Sequence, residues 1–269
     1  MIVISTMFVL IMLIMPLISV LINSLGNGPG YYVDALKIPT VASAFRLTLT
    51  VTVITVIINT FFGIVASWLL TRYSFRGKQI LATLIDIPFS ISPVIAGLAF
   101  IMMFGRLGWA SPVIDMINDT TGWNVKIVFA TPGVILATVF VTFPFISREI
   151  IPVLNSVGTD EEEAAALMGA KWHTIFTKVT FPHIKWAFLY GIVLCTARAM
   201  GEFGAVSVLS GHLRGKTNTL PLHIEILFNE FQYVSAFAVS SILVMLAIVV
   251  LVLRSVLEKL GQKDAEQNR

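Results

Sequence analysis

The chain has 269 residues, of which 57% are hydrophobic and only 12% are charged, and its formal net charge is +3. A mean hydropathy of +0.89 excludes an ordinary soluble domain and predicts an integral membrane protein. The basic residues lie between apolar runs and form no stripe interleaved with aromatics, so nucleic acid is not an expected partner. The single Cys195 cannot form an internal disulfide.

Residues 1–25 form an apolar run without any charged residue. This run is longer than the roughly 20 residues that a helix needs to cross about 30 Å of hydrocarbon. A cleaved signal peptide starts with basic residues and has a shorter apolar segment, whereas no basic residue precedes Lys37 here. We therefore expect a spanning helix that is retained.

Five further apolar runs follow, which predicts an all-α membrane protein with about six transmembrane helices in a single domain, 1–269. Helices are expected because an unpaired backbone group in hydrocarbon costs several kcal/mol. The predicted helices are 1–25, 47–70, 80–104, 127–146, 186–209 and 234–253.

The basic residues of the connecting segments predict the orientation, because cytoplasmic loops are enriched in lysine and arginine. One set of segments carries eleven of them: Arg72, Arg76, Lys78, Arg148, Lys171, Lys178, Lys185, Arg254, Lys259, Lys263 and Arg269. The alternate set carries six: Lys37, Arg46, Arg106, Lys126, Arg214 and Lys216. Both termini and the loop 147–185 are therefore expected on the cytoplasmic side.

The third predicted helix contains Asp86, Pro88 and Pro93. Each proline removes a backbone donor, which favours a kink, although proline is also commoner in spanning helices than in soluble ones. Asp86 lies about 9 Å along the helix from its cytoplasmic start, within reach of water or a basic neighbour.

The fifth predicted helix carries Arg198 and Glu202 near the middle of the bilayer, four residues apart on one face. Each would cost about 2.5–3.5 kcal/mol if it faced lipid, so both must face protein or a wet cavity. Gly201, Gly204 and Ala205 leave room for another helix to approach closely. The pair is either an internal ion pair that stabilises packing or part of an anion path, in which Glu202 holds Arg198 in place.

The loop 147–185 contains "TDEEEAAALMGAKW", residues 159–172. Thr159 followed by Glu162 matches a capping box, four acids lie on the positive end of the helix dipole, and Gly169 is a natural helix stop. A second amphipathic helix follows, with Trp172, Ile175, Phe176 and Val179 on one face, and Pro182 is expected to end it. A solvated connector is the simpler interpretation, but the apolar side chains of Leu167 and Met168 must bury against something.

"GHLRGKT", residues 211–217, is similar to a phosphate-binding loop, but its glycines are separated by three residues and no strand precedes it. Thr219 and Pro221 instead predict a surface helix, which we interpret as a lid or docking element at the outer mouth. One face of that helix carries Leu220, Ile224, Leu227, Phe228 and Phe231.

The hairpin resembles the EAA motif of the membrane subunits of binding-protein-dependent ABC importers. Glu163-Ala164-Ala165, three residues, Gly169, nine residues and Val179-Thr180-Phe181-Pro182 match that motif, with Val in place of Ile and Phe in place of Leu. The resemblance implies a coupling helix that docks in a cleft of a separate ATPase subunit, on which ATP and magnesium bind.

Three further segments narrow this resemblance: residues 86–97, residues 197–211 and "SGHLRGKTNTLPLHIEIL", residues 210–227. They resemble the permeases for sulfate, thiosulfate, molybdate and tungstate, and residues 210–227 look most like one of the two permease subunits of the sulfate/thiosulfate importer. The resemblance implies an inner-membrane subunit that works with an ATPase dimer, a second permease chain and an extracytoplasmic binding protein.

Three alternatives remain open from the sequence: a homodimeric molybdate or tungstate permease, a secondary transporter that uses Arg198 and Glu202 with an ion gradient, and an interaction or assembly protein without transport. No catalytic set is recognisable, and the four histidines do not have metal-ligand spacing. A transport subunit without its own ATPase motif, metal or cofactor is therefore expected.

Overall fold

The computed structural model describes residues 1–122 and 124–267, with only the backbone for Ile2 and residues 262–267. Every regular element in this part of the chain is helical, as predicted. In order the helices are α1 (Ile2–Ser24), α2 (Pro29–Lys37), α3 (Pro39–Arg72), α4 (Lys78–Ser90), α5 (Pro93–Phe104), α6 (Ser111–Thr121), α7 (Thr131–Thr142), α8 (Pro144–Val157), α9 (Asp160–Leu167), α10 (Trp172–Ile175), a π-turn (Phe176–Thr180), α11 (Phe181–Met200), α12 (Gly204–Leu209), α13 (Leu220–Asn229) and α14 (Tyr233–Gln267). Of the basic residues that predict orientation, Arg269 and the side chain of Lys263 lie outside the described residues.

Within the described residues, five helical segments are long and apolar enough to cross a membrane, and a sixth results if the bent pair α4 and α5 counts as one span. The five are Val3–Ser24, Pro39–Arg72, Thr131–Val157, Trp172–Met200 and Tyr233–Gly261. The predicted count of about six is therefore confirmed, and the first run is a helix over nearly its whole predicted length.

Helix α3 is central and packs against α7, α8 and α11. Its buried side is polar: Thr48, Thr52, Thr55, Asn59 and Ser67 are all nearly inaccessible to solvent. The Asn59 amide donates to the Thr142 hydroxyl at 2.8 Å and to the Val139 carbonyl at 3.3 Å. Hydrogen bonds between helices supply association energy that the hydrophobic effect cannot supply inside a bilayer.

The third predicted span, 80–104, consists of two helices, and the helix direction changes by 110° between them. Residues before a proline are pushed out of the helical region, and Ser92, directly before Pro93, has ψ 130° while Ile91 has ψ 134°. Pro93 then begins α5, where a missing N–H costs nothing. The expected kink is confirmed as a complete break at Pro93, whereas Pro88 lies inside α4 without ending it.

The fourth predicted span, 127–146, begins at Thr131 and continues as α8 to Val157. Ile146, Ile150 and Leu154 recur every four residues on α8 and are buried against α3 and α11. The predicted loop 147–185 is therefore helical at both of its ends. Residues 158–171 connect the two long helical segments.

The fifth predicted span, 186–209, differs at both ends. The prediction that Pro182 ends a separate hairpin helix is wrong, because residues 172–200 form one continuous helical segment. A π-turn, closed by a hydrogen bond from the Phe181 N–H to the Phe176 carbonyl, lies directly before Pro182. The helix therefore continues through Pro182 although this residue has no N–H to donate. At the other end, α11 ends at Met200 and α12 begins at Gly204.

The remaining spans are longer than predicted, because α3 begins at Pro39 and α14 continues to Gln267. The helix predicted after Thr219 is present as α13. Leu220 and Leu227 on its apolar face are buried whereas Phe228 is exposed, so the face belongs partly to the core. The prediction that Phe231 belongs to this face is wrong, because the helix ends at Asn229 and Phe231 has φ +61°.

Candidate functional site: the hairpin and the two helix breaks

The hairpin is the segment α9, the turn at Gly169 and α10. Helix α9 begins after Thr159 with four acids in its first turn, as predicted. The predicted capping box is wrong, because the Thr159 hydroxyl donates to the Glu163 carboxylate at 2.8 Å and caps no backbone N–H. Glu162 points elsewhere, to Arg72.

The turn of the hairpin is a Schellman motif centred on Gly169. The Gly169 N–H donates to the Ala166 carbonyl at 2.9 Å, and the Ala170 N–H donates to the Ala165 carbonyl at 3.1 Å. Gly169 has φ +86°, which a residue with a Cβ adopts only with strain. The sequence therefore predicted this turn correctly.

The tip of the hairpin is apolar and uncovered. Leu167 is 89% exposed, Met168 82% and Trp172 70%. Glu163 and Ala164 are also exposed, whereas Ala165 is buried on the side of α9 that faces α10 and the π-turn. An exposed apolar group with polar neighbours is typical of a protein contact site.

The two helix breaks lie against each other. A Cβ added to Gly204, at the start of α12, would lie 2.9 Å from the Pro93 Cβ, at the start of α5. A Cβ added to Gly97 would lie 2.7 Å from the Ala205 carbonyl oxygen. The predicted close approach at Gly204 and Ala205 is thus present, whereas at Gly201 the nearest atom is the Ala197 oxygen of its own helix.

Arg198 and Glu202 form an ion pair, with 2.6 Å between Arg198 Nη1 and Glu202 Oε2. They do not share a continuous helix, because Arg198 lies in the last turn of α11 and Glu202 lies in the break. The other Glu202 oxygen accepts the Ala205 N–H at 2.9 Å. The Glu202 side chain is 1% exposed and the Arg198 side chain 33% exposed, so the carboxylate is enclosed while part of the guanidinium remains accessible.

Asp86 pairs with Arg148 of α8, with 2.9 Å between its Oδ1 and the arginine Nε. Both side chains are about half exposed, and the guanidinium also lies 4.1 Å from the centre of the Phe89 ring. The expectation that Asp86 reaches a basic neighbour is confirmed.

His223 of α13 is buried, with 2% of its surface exposed. The Asn218 amide donates to His223 Nδ1 at 3.2 Å. Burial lowers the pKa of His223, nearby Arg214 lowers it further, and Glu230 opposes the shift. The imidazole is therefore neutral at neutral pH.

The structure brings Pro93, Arg198 and Glu202 into one region around the two breaks, and Asp86 and Pro88 belong to the preceding helix. Arg72 and Thr180, which contact Glu162, and Arg148, which contacts Asp86, were missed as site residues. Arg72 and Arg148 entered the sequence analysis only as orientation charges. A single sequence carries no signal that pairs residues 62 to 90 positions apart.

Comparison with known proteins gives matches over most of the chain. The sulfate transport system permease protein CysW of Synechococcus elongatus is 45% identical over 255 residues, which cover 95% of this chain and 87% of that protein. CysW of Escherichia coli K12 is 43% identical, covering 91% and 82%, and CysT of the same strain is 31% identical, covering 92% and 87%.

A chain of the bacterial alginate ABC transporter, solved in complex with an alginate pentasaccharide-bound periplasmic protein, has the same fold. Its TM-score is 0.77 at 18% identity, covering 98% of this chain and 93% of that chain. Residues 59–262 match the family of binding-protein-dependent transport system inner membrane components. With a family match over most of its length, the chain belongs to the inner-membrane permease subunits of the binding-protein-dependent ABC transporters.

Proposed function

We propose that this chain is a permease subunit of an ATP-driven importer for sulfate or thiosulfate. The observation that carries the proposal is its 45% and 43% identity to sulfate transport permeases over more than four fifths of their length. The same chain is less similar to the CysT permease of Escherichia coli, which supports a CysW-like role beside a different second permease chain.

The hairpin is proposed to couple this chain to a separate ATPase dimer that binds ATP and magnesium. Leu167, Met168 and Trp172 offer an exposed apolar tip. Glu163, Ala164, Ala165 and Gly169 supply the motif residues around it, and Pro182 closes the motif in the first turn of α11. This role places the hairpin and both termini in the cytoplasm, in agreement with the distribution of basic residues.

The region around the two helix breaks is the proposed contribution to the anion path. The Arg198 guanidinium is partly accessible and is held in one orientation by the enclosed Glu202 carboxylate. It can therefore provide positive potential to an anion from a fixed position. Breaks at Pro93 and Glu202 offer joints at which the halves of these helices can reorient. Asp86 and Pro88 lie on α4, the helix that precedes the break at Pro93. An extracytoplasmic binding protein would deliver the anion at the opposite end.

The test is reconstitution of this chain in liposomes with an ATPase subunit, a second permease and a sulfate-binding protein from the same organism. We expect uptake of labelled sulfate that requires enclosed ATP and external binding protein, with competition by thiosulfate. Equal uptake of molybdate by a complex with two copies of this chain would replace the assignment by the molybdate alternative. Uptake by this chain alone under an ion gradient would replace it by a secondary transporter.

Orientation is tested separately with a single cysteine at Met168 in a Cys195→Ala background. A membrane-impermeant maleimide should label it only after the cells are opened. Labelling in intact spheroplasts would place the hairpin on the outside and contradict the coupling role.

A further inference from the structure

Glu162 of the hairpin makes a paired contact with Arg72, the last residue of α3. Arg72 Nε donates to Glu162 Oε2 at 2.8 Å, and Arg72 Nη2 donates to Glu162 Oε1 at 2.9 Å. Two parallel charge-assisted bonds fix both the distance and the orientation of the two side chains. This contact joins residues 90 positions apart.

Two further bonds extend the contact to other elements. The third nitrogen of Arg72, Nη1, donates to the Leu154 carbonyl of α8 at 3.0 Å. The Thr180 hydroxyl, in the π-turn that begins the next long helix, donates to Glu162 Oε1 at 2.8 Å. One carboxylate on the hairpin is therefore bonded to α3 and to the base of α11, and through Arg72 to α8.

The contact is also shielded from water. The side chains of Arg72 and Glu162 are only 8% and 15% exposed, so solvent and salt screen the pair weakly. The neighbouring acids differ, because Glu161 is 63% exposed and bonds His183, and Glu163 is exposed and bonds Thr159, the residue directly before its own helix. Of the acids in the first turn of α9, Glu162 is thus the one with a shielded pair to a membrane helix.

Helix α10 continues into α11 as one helical segment, whereas the covalent connections of α9 do not by themselves transmit a displacement. Helix α9 is joined to α10 by the left-handed turn at Gly169 and to α8 through Gly158, which has φ +74° and open space around the position of a Cβ. A glycine joint of this kind permits α9 to move without moving α8. The contact between Arg72 and Glu162 joins α9 to α3 independently of these glycines.

We propose that Arg72 and Glu162, supported by Thr180, are positioning residues that transmit displacement of the hairpin to the membrane helices. The proposal rests on the coupling role of the hairpin given above. When a partner displaces α9, the paired bonds carry the ends of α3, α8 and α11 with it. Without them α9 swings on its glycine joints, and its displacement no longer reaches α3 and α8.

The test uses the complete reconstituted complex and measures ATP hydrolysed per sulfate imported. In Glu162→Gln the amide cannot accept both arginine bonds, and the ratio should rise by about 10-fold. Glu161→Gln, on the same turn and exposed, is the matched control and should leave the ratio unchanged. The exchange Arg72→Glu with Glu162→Arg should recover part of the coupling.

Copurification of the subunits separates coupling from assembly. An assembled Glu162→Gln complex with the wild-type ratio would overturn the proposal. If Glu162→Gln does not assemble, Arg72→Lys, which keeps the charge but loses the paired geometry, takes its place. A wild-type ratio in Arg72→Lys, or failure of both variants to assemble, would likewise overturn it. Absence of ATP-dependent sulfate uptake in the wild-type complex would instead contradict the proposed function.

Discussion

Gly97 of α5 lies directly against Ala205 of α12, so that a Cβ at position 97 would be 2.7 Å from the Ala205 carbonyl oxygen and 3.2 Å from its Cα. Both contacts are with backbone, which cannot move aside as a side chain can. Helices α5 and α12, each of which begins directly after a break, are therefore in contact through their backbones.

Gly97→Ala should destabilise the folded subunit by about 1–3 kcal/mol, because the added methyl group forces the two backbones apart. The measurement is the thermal midpoint of the complex in detergent. Gly30→Ala is the control, since nothing lies within 4 Å of a Cβ there and its φ is not positive. An unchanged midpoint in Gly97→Ala would contradict the close packing of α5 on α12.

Gly169→Val should uncouple ATP hydrolysis from uptake. Space is not the obstacle, because no atom lies within 4 Å of the added Cβ. The obstacle is the left-handed backbone at φ +86°, which costs an ordinary residue about 1–2 kcal/mol. Gly169→Asn should retain more coupling because asparagine tolerates this conformation. Normal transport by the valine variant would count against the hairpin assignment.

Leu167→Ala should weaken association with the ATPase. Burying one such side chain contributes about 1.5–3 kcal/mol, so the loss corresponds to a complex that is about 10-fold to 100-fold weaker. Binding of the purified ATPase to the permease complex gives the measurement. Leu107→Ala is the control, because Leu107 is also almost fully exposed and lies outside the hairpin. Equal affinity of Leu167→Ala and the wild type would show that the tip is not the contact.

Arg198→Gln should lower sulfate uptake by an assembled complex by about 10-fold or more, if the guanidinium supplies potential to the anion. The variant leaves the enclosed Glu202 carboxylate without its partner, so the double variant with Glu202→Gln is needed to separate charge from stability. Assembly is followed by copurification and uptake by labelled sulfate. Wild-type uptake in the double variant would reduce the pair to a packing role.

The depressed pKa of His223 predicts a specific pH dependence of stability. Between the folded-state pKa and the ordinary value of about 6.5, the unfolded chain binds more protons than the folded one, so stability rises with pH. The contribution is complete above about pH 6.5 and is lost as the pH falls towards the folded-state value. His223→Gln should reduce the pH dependence of the thermal midpoint between pH 7.5 and pH 5. Parallel curves of midpoint against pH for the variant and the wild type would contradict the burial argument.

The sequence by itself determined the class and the count of spans, because long uncharged runs are compatible only with helices in lipid. It also determined the turn at Gly169, since backbone geometry at glycine is a local property. It predicted a kink from Pro88 and Pro93 alike, whereas the helix breaks only at Pro93. The resemblance to the ABC importer subunits rested on the residues of the hairpin motif, and residues 86–97, 197–211 and 210–227 narrowed it.

Only the tertiary structure decided where side chains find partners. The spacing after Thr159 predicted a capping role for Glu162. In the structure its carboxylate instead accepts two shielded hydrogen bonds from Arg72, 90 positions earlier. Pro182 looked like a stop, yet the packed helix passes it through a π-turn. Local rules describe what the backbone can do, whereas long-range pairs depend on which distant surfaces the fold presses together and removes from water.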